Sequence, residues 1–264
     1  MAAPFLLIGG LFEAVDAALM AHAGFMNLPS RDVLGRKTIT VESRADRPQG
    51  RPAGDARPNA LDALLLRSMA WRPCARGLRP RTRIDGVITD GGKIANKKAD
   101  YSYSRAAFII RSTQVGYIEE LDRRLRACAE GAAQATGTSL SWSSAWGRYL
   151  PMKRNSALEA AYAANLRFVG EEIGCFPPQA PIGSTDFGNV SQALPGIHAY
   201  FEAVPPGVEH HTLAYAEATR SEMALKGMIT AAKALALTGL DLTQDPGLLE
   251  QIRAGFRKAS AAAG

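Results

Sequence analysis

The sequence predicts an α/β protein of two domains, one inserted into the other. Three observations carry this expectation. Six segments between residues 33 and 150 follow a strand–helix–strand–strand–helix–strand order, the pattern of a ferredoxin-like α+β domain. The stretches on either side are each too short to bury a core alone, so 1–32 and 151–264 are expected to pack together as one α/β domain around the insertion at 33–150. Finally, 264 residues of which 47% are hydrophobic suffice for two cores.

Taken in order, Phe5–Leu7 and Asp16–Met20 read as short buried strands, the second leading toward His22. Lys37–Glu42 alternates and is β-branched, which predicts a half-exposed strand. Asn59–Met69 carries apolar residues at helical spacing, Thr82–Thr89 and Ser104–Ile110 read as strands, Ile118–Thr136 as a helix, and Thr138–Ser143 as the last strand of the insertion. Beyond Asn155 the pattern is helical over Ala157–Val169, Ser221–Thr238 and Asp245–Ser260. In the last of these Asp245 is expected to cap the helix, with Pro246 at the first helical position, where its missing N–H costs nothing. There is no internal repeat.

Composition narrows the function classes. Cys74, Cys128 and Cys175 have no paired spacing, so neither a zinc ribbon nor a disulfide framework is expected, and reduced thiols in the cytoplasm are. The apolar run Pro4–Met20 lacks a basic flank and is interrupted by Glu13 and Asp16, which argues against a signal peptide or a membrane span. The net charge of +6 is concentrated in residues 31–83, which hold 13 Lys/Arg against 5 Asp/Glu. Such a block could neutralise phosphates. It contains a single aromatic, Trp71, and no nucleic-acid-binding motif, so no nucleic-acid partner is expected.

Candidate chemistry starts from the four histidines. His22 ends an apolar run, at a position where α/β folds gather ligand-binding side chains. His210-His211 follows Pro205-Pro206-Gly207 in a loop, where one of the pair could be a ligand and the other solvent-exposed. His198 sits in an apolar run and reads as structural. The densest polar cluster is Gly183–Ser191, whose small residues permit close backbone approach and whose Ser184, Thr185 and Asp186 offer donors and acceptors. The same stretch also reads as a helix start, with Ser184 or Thr185 as the cap and Asp186 in the first turn.

In sequence order, Val15–Gly24, Asn59–Ala63, Asp85–Gly92, Gly183–Ser191 and His211-Thr212 followed by Glu217-Ala218 resemble peptidase family M20, the zinc-dependent aminoacylases, carboxypeptidases and amidohydrolase-like dipeptidases. The resemblance covers nearly the whole chain. It implies a partial zinc-peptidase catalytic domain interrupted by a ferredoxin-like lid that also forms a homodimer, hydrolysing small N-acyl amino acids or dipeptides. By the same resemblance His22 and His211 are zinc ligands. Asn96 and Arg111 hold the substrate's carboxylate or backbone, a task that suits the guanidinium fork, and Ser184 and Thr185 shape the pocket.

Two departures accompany it. The family's remaining metal ligands and its catalytic glutamate correspond to positions before Met1, so no residue here is assigned a catalytic role. A competing expectation is therefore a catalytically inactive, truncated relative that acts as a dimerising or interaction domain. Secondly, relatives have a Phe-His-Gly-x-x-Ala-His segment where residues 43–58 stand. Back-translating Ser43–Gln49 and reading from the second nucleotide permits His-Gly-Arg-Thr-Ala-His. A frame slip near Ser43 would explain both the lost motif and the basic block. Genomic DNA that does not encode the histidine motif in the shifted frame would rule it out.

Overall fold

The structure, a computed structural model, describes residues 3–45, 58–71, 76–95, 98–144, 147–177, 180 and 182–261. In chain order the elements are α1 (Ala3–Ile8), β1 (Ala18–Gly24), β2 (Gly35–Arg44), α2 (Ala60–Ala70), β3 (Arg83–Asp90), β4 (Lys93–Ala95), β5 (Lys98–Asp100), β6 (Tyr103–Ser112), α3 (Val115–Thr136) and β7 (Ser139–Ser143). There follow α4 (Ser156–Phe168), α5 (Phe187–Ala193), β8 (Gly196–Glu202), α6 (Leu213–Ala218), α7 (Glu222–Gln244) and α8 (Pro246–Ala261). They form two compact units, Met1–Val33 with Met152–Gly264, and Leu34–Pro151.

In the unit Leu34–Pro151, four antiparallel strands lie in the order β3-β6-β2-β7. Numbered within the unit this is 2-3-1-4, the order that a split βαβ chain generates. Period-two alternation decides which face is covered: in β6, Ser104, Ala106, Phe108, Ile110 and Ser112 are buried while the residues between them are more open. Ile39 and Val41 of β2 join that face, and α2 and α3 close it with Leu64, Ile118, Leu121 and Leu125. Helix α2 starts where Asn59 Oδ1 accepts from Leu61 N–H at 2.9 Å. Helix α3 ends at Gly137, whose φ of 65° lets its N–H turn back to the carbonyls of Ala133 and Gln134. One charge is misplaced by this logic. Arg67 of α2 is 2% exposed, and its Nε and Nη2 are buried without partners.

The two ends of this unit are zipped together. Arg36 N–H donates to Tyr149 O at 2.8 Å and Tyr149 N–H returns to Arg36 O at 2.9 Å. Beside this bridge a Cβ on Gly35 would come within 2.9 Å of Ile118 Cδ1, 3.0 Å of Pro151 Cδ and 3.2 Å of Tyr149 O, so the crossing is made at a residue without a side chain.

In the other unit, β1 and β8 pair in parallel, with Met20 opposite His198 and His22 opposite Tyr200. One face packs on α4, α7 and α8, where Leu19, Ala21, Ile197 and Ala199 meet Leu158, Tyr162, Leu166, Ala234 and Ile252. On the other side Phe187, Val190 and Leu194 pack with Leu7, Phe12 and Met20. Helix α7 has the length and hydropathy of a membrane span; Ala224, Ala231, Ala234 and Thr238 are buried along it, while Leu225, Met228, Ile229 and Leu240 are exposed. Helix α8 opens as the Asp-Pro pair predicts: Asp245 Oδ1 accepts from Leu248 N–H at 3.0 Å. Asp245→Ala is expected to cost about 1 kcal/mol, read as a lower midpoint in thermal unfolding followed by circular dichroism.

Several sequence expectations are corrected. Phe5–Leu7 is helical, inside α1, because a three-residue apolar run carries no period that separates strand from helix. β1 begins at Ala18 and runs on to Gly24, so His22 stands within the strand rather than after it. The strand β8, the short helix α6 and the β4–β5 hairpin have no counterpart among the elements that the sequence pattern predicts. Residues 46–57, the centre of the segment read as frame-shifted, lie outside the described residues, as do Asn96 and Cys74.

Candidate active site

The parallel register of β1 and β8 puts Met20, His22, His198 and Tyr200 on one face of the pair. There the rings form a continuous stack: His198 lies 4.9 Å from Tyr200, 5.6 Å from His22 at an interplanar angle of 29°, and 5.9 Å from Phe187, centroid to centroid. His198 is 2% exposed and neither of its ring nitrogens has a partner. Desolvation, aided by the neighbouring His22, pushes its pKa down to about 4, so this imidazole is neutral at physiological pH.

His22 differs in being exposed and anchored. Its Nδ1 lies 2.6 Å from Ala23 O. A carbonyl can only accept, so Nδ1 carries the proton and the neutral ring keeps its lone pair on Nε2, the state in which histidine ligates metals. Ala23 O also accepts from Tyr215 Oη at 2.8 Å. That bond ties α6 and the loop before it to β1. The loop's own geometry is fixed by Thr212, whose Oγ1 donates to Glu209 O at 2.8 Å and accepts from Tyr215 N–H at 3.2 Å.

This anchoring brings His210 to 5.9 Å from His22 and 4.4 Å from Tyr215. Burial, with the charges of His22, Arg31 and His211 adding to it, lowers the His210 pKa. His211 makes its ring contact with His210, at 6.4 Å, and adopts φ 65°, an uncommon backbone state for a residue with a side chain. The ring facing His22 is therefore that of His210, with His211 next along the chain. Sequence reasoning read His198 as structural, in keeping with its burial, and did not single out Tyr200; the i, i+2 spacing of the two, aligned with His22 across a parallel pair, was the available signal for their place beside His22.

The polar cluster at Gly183–Ser191 starts α5 as expected. Thr185 Oγ1 accepts from Phe187 N–H at 3.3 Å, the capping bond of the helix, while Asp186 already has helical backbone angles and makes no side-chain capping bond. Ser184 Oγ is buried without a partner. Arg111 belongs to the other unit, in the middle strand of three. Arg36 and Arg83 are its register partners on either side, so three guanidinium-bearing residues form a row on the face of the sheet opposite the helices. Desolvation and the charges of Arg83 and Arg36 lower the Arg111 pKa, with Asp85 opposing, and its Nε is buried without a partner. The strand register alone shows that the three are aligned.

No group of three or more His, Cys, Asp or Glu among the described residues stands where it could hold a metal ion. The histidines are chemically apt as zinc donors, and His22 is in the right tautomer, but a catalytic zinc takes three protein ligands and a free position. The described residues offer an incomplete set.

No protein-family model matches the sequence. The chain is 32% identical over 259 residues to the Xaa-Arg dipeptidase of Mus musculus, an alignment covering 96% of this chain and 58% of that protein. It is 25% identical over 309 residues to a p-aminobenzoyl-glutamate hydrolase polypeptide of Escherichia coli (strain K12), covering 94% of this chain and 62% of that one. The chain thus spans less than two thirds of the length of these relatives. In fold it resembles a dinuclear metal-binding peptidase of Bacillus subtilis from family M20, with a TM-score of 0.54 at 15% identity, over 89% of this chain and 61% of that one. The alignments run over nearly all of this chain, which is thus akin in sequence to these dipeptidases and amide hydrolases and shares the α/β fold of the M20 peptidase.

Proposed function

We propose that the chain forms part of a soluble, cytoplasmic, metal-dependent hydrolase of amide or peptide bonds, acting on small N-acyl amino acids or dipeptides. The observation that carries this is His22, exposed, with its proton held on Nδ1 by Ala23 O and its ring 5.9 Å from that of His210, next to which His211 follows in the chain. His22 and His211 are the residues that would hold a zinc ion, which when bound lowers the pKa of its water toward neutrality. Everything else in the reading concerns binding and orientation. Ala23 O and Tyr215 fix the His22 ring, Ser184 and Thr185 border the site, and Arg111, with Arg36 and Arg83 beside it, offers positive charge for a substrate carboxylate; Asn96 is assigned to the same task. The edge strand β3, where Val87 is 59% and Ile88 46% exposed, supports a homodimer through the inserted unit, its lid.

The test is metal binding by the full chain, measured by titration with zinc and by the absorption of cobalt(II) as a substitute, followed by assay on N-acyl amino acids. His22→Ala is expected to weaken metal affinity at least tenfold, since even residues that merely orient ligands are worth 10- to 100-fold. Unchanged affinity would remove His22 from the site. Stoichiometric metal binding without turnover would favour the non-catalytic, dimerising reading.

A further inference from the structure

We propose that the pocket beside His22 is an anion-binding subsite in which Arg31 takes a carboxylate of the substrate, making the chain selective for acidic over basic acyl-amino acids or dipeptides. The inference rests on the amide-hydrolase reading and gives it a substrate class. Arg31 follows Pro29-Ser30 in the loop after β1. Its guanidinium carbon lies 4.1 Å from the centroid of Tyr200 and 4.6 Å from that of Phe176. Two ring faces thus hold the guanidinium, and such stacking pre-organises the in-plane N–H edge for a planar anion.

Among the described residues no carboxylate pairs with this cation, whose side chain is hydrogen-bonded to that of Tyr200. Its Nε is buried without a hydrogen-bond partner. The carboxylate next to it in sequence, Asp32, is engaged by Arg154 at 3.7 Å. The pocket that Arg31 lines is otherwise apolar or aromatic, with Phe25, Met26 and Leu28 completing its walls and His210 opening toward His22. No lining side chain brings negative charge. A carboxylate entering this pocket would meet a partly desolvated guanidinium and form charge-assisted hydrogen bonds. A lysine or arginine of a substrate would meet a like charge with little water between them. Hydrogen bonds to charged groups contribute enough for roughly a tenfold to hundredfold preference. The direction is opposite to that implied by the name of the Mus musculus relative, so the chain would differ from it in specificity.

The experiment is calorimetric titration of the full chain, without added metal, with N-benzoyl-glutamate and N-benzoyl-lysine, which reads binding apart from turnover. The wild-type chain is expected to bind the glutamate compound at least tenfold more tightly. Arg31→Gln should abolish the preference. Arg31→Lys, which keeps the charge but not the planar stack, should lower glutamate affinity several-fold and retain the sign of the preference, and it provides the measurement if the glutamine variant does not fold. Equal wild-type affinity for both probes, or a preference that survives Arg31→Gln, overturns the subsite. Zinc titration of the same samples separates the two ideas. A preference that depends on Arg31 in a chain that binds no zinc would uphold the subsite and sink only the metal-dependent reading.

Discussion

An alanine at position 227 is expected to destabilise the unit formed by Met1–Val33 and Met152–Gly264 by about 3 kcal/mol, the upper end of the usual overpacking cost. A glycine in the middle of a helix normally does the reverse, since alanine there gains up to about 1 kcal/mol. Position 227 departs from that rule because α7 crosses the end of β8 with no room for a side chain. A Cβ would overlap the carbonyl oxygen of Glu202 and approach Phe201 Cδ2 at 3.2 Å. The overlapped atom is backbone and cannot rotate away, so helix and strand must separate. Gly239, on the same helix, has nothing within 4 Å of its would-be Cβ, and Gly239→Ala should be neutral or stabilising. Thermal unfolding of both variants by far-ultraviolet circular dichroism tests the pair. Equal midpoints would show that the close approach of α7 to β8 is not rigid.

The second large effect has the opposite sign. Arg67→Met is expected to stabilise the unit Leu34–Pro151 by roughly 1–3 kcal/mol, as replacements of poorly compensated buried charges often do. Desolvation pulls the Arg67 pKa down to about 10, and two of its nitrogens are unpartnered. Its one aromatic contact, Phe108 at 5.8 Å, offers little for a fully buried cation. The unfolded chain holds this proton more tightly than the folded one, so the penalty is present in full below about pH 10 and is relieved only as pH rises beyond it. The gain from methionine should therefore be flat between pH 5 and 8. Urea unfolding followed by tryptophan fluorescence isolates the effect, because Trp71, Trp142 and Trp146 all lie within residues 34–151. A destabilised variant would mean that Arg67 is solvated or paired in solution. Its position inside the basic block, facing a core that has no use for charge, also fits the reading that part of this block is out of register with the fold.

How much could be read from sequence follows the physics of each element. Lys37–Glu42 and Ser104–Ile110 were legible because one face of their sheet is covered and the other is not, which writes a period of two into the chain. β8 was not. Its first five residues are all buried, as parallel strands tend to be, and Gly-Ile-His-Ala-Tyr-Phe-Glu then shows no alternation to find. The same burial hid the second half of the site. His22 and His211 stood out by resemblance, whereas His198 and Tyr200 become partners of His22 only through a strand register spanning most of the chain. Arg31 lies in a stretch of loop chemistry, and its meaning arises from Tyr200 and Phe176, residues far away in sequence.

The zipped ends of the inserted unit have a consequence for how the surrounding fold is assembled. Closing a flexible loop carries an entropic cost that grows with the logarithm of its length. A segment whose own ends are pinned together by the Arg36–Tyr149 pair presents its host with a gap of fixed width, whatever lies inside. To the strands β1 and β8, residues 34–151 behave as a tight turn, so His22 and His198 are neighbours along a much shorter effective path than their numbers suggest. Segments of other lengths could be exchanged at Gly35 and Tyr149 with little penalty to the host, provided that they bring their own ends equally close.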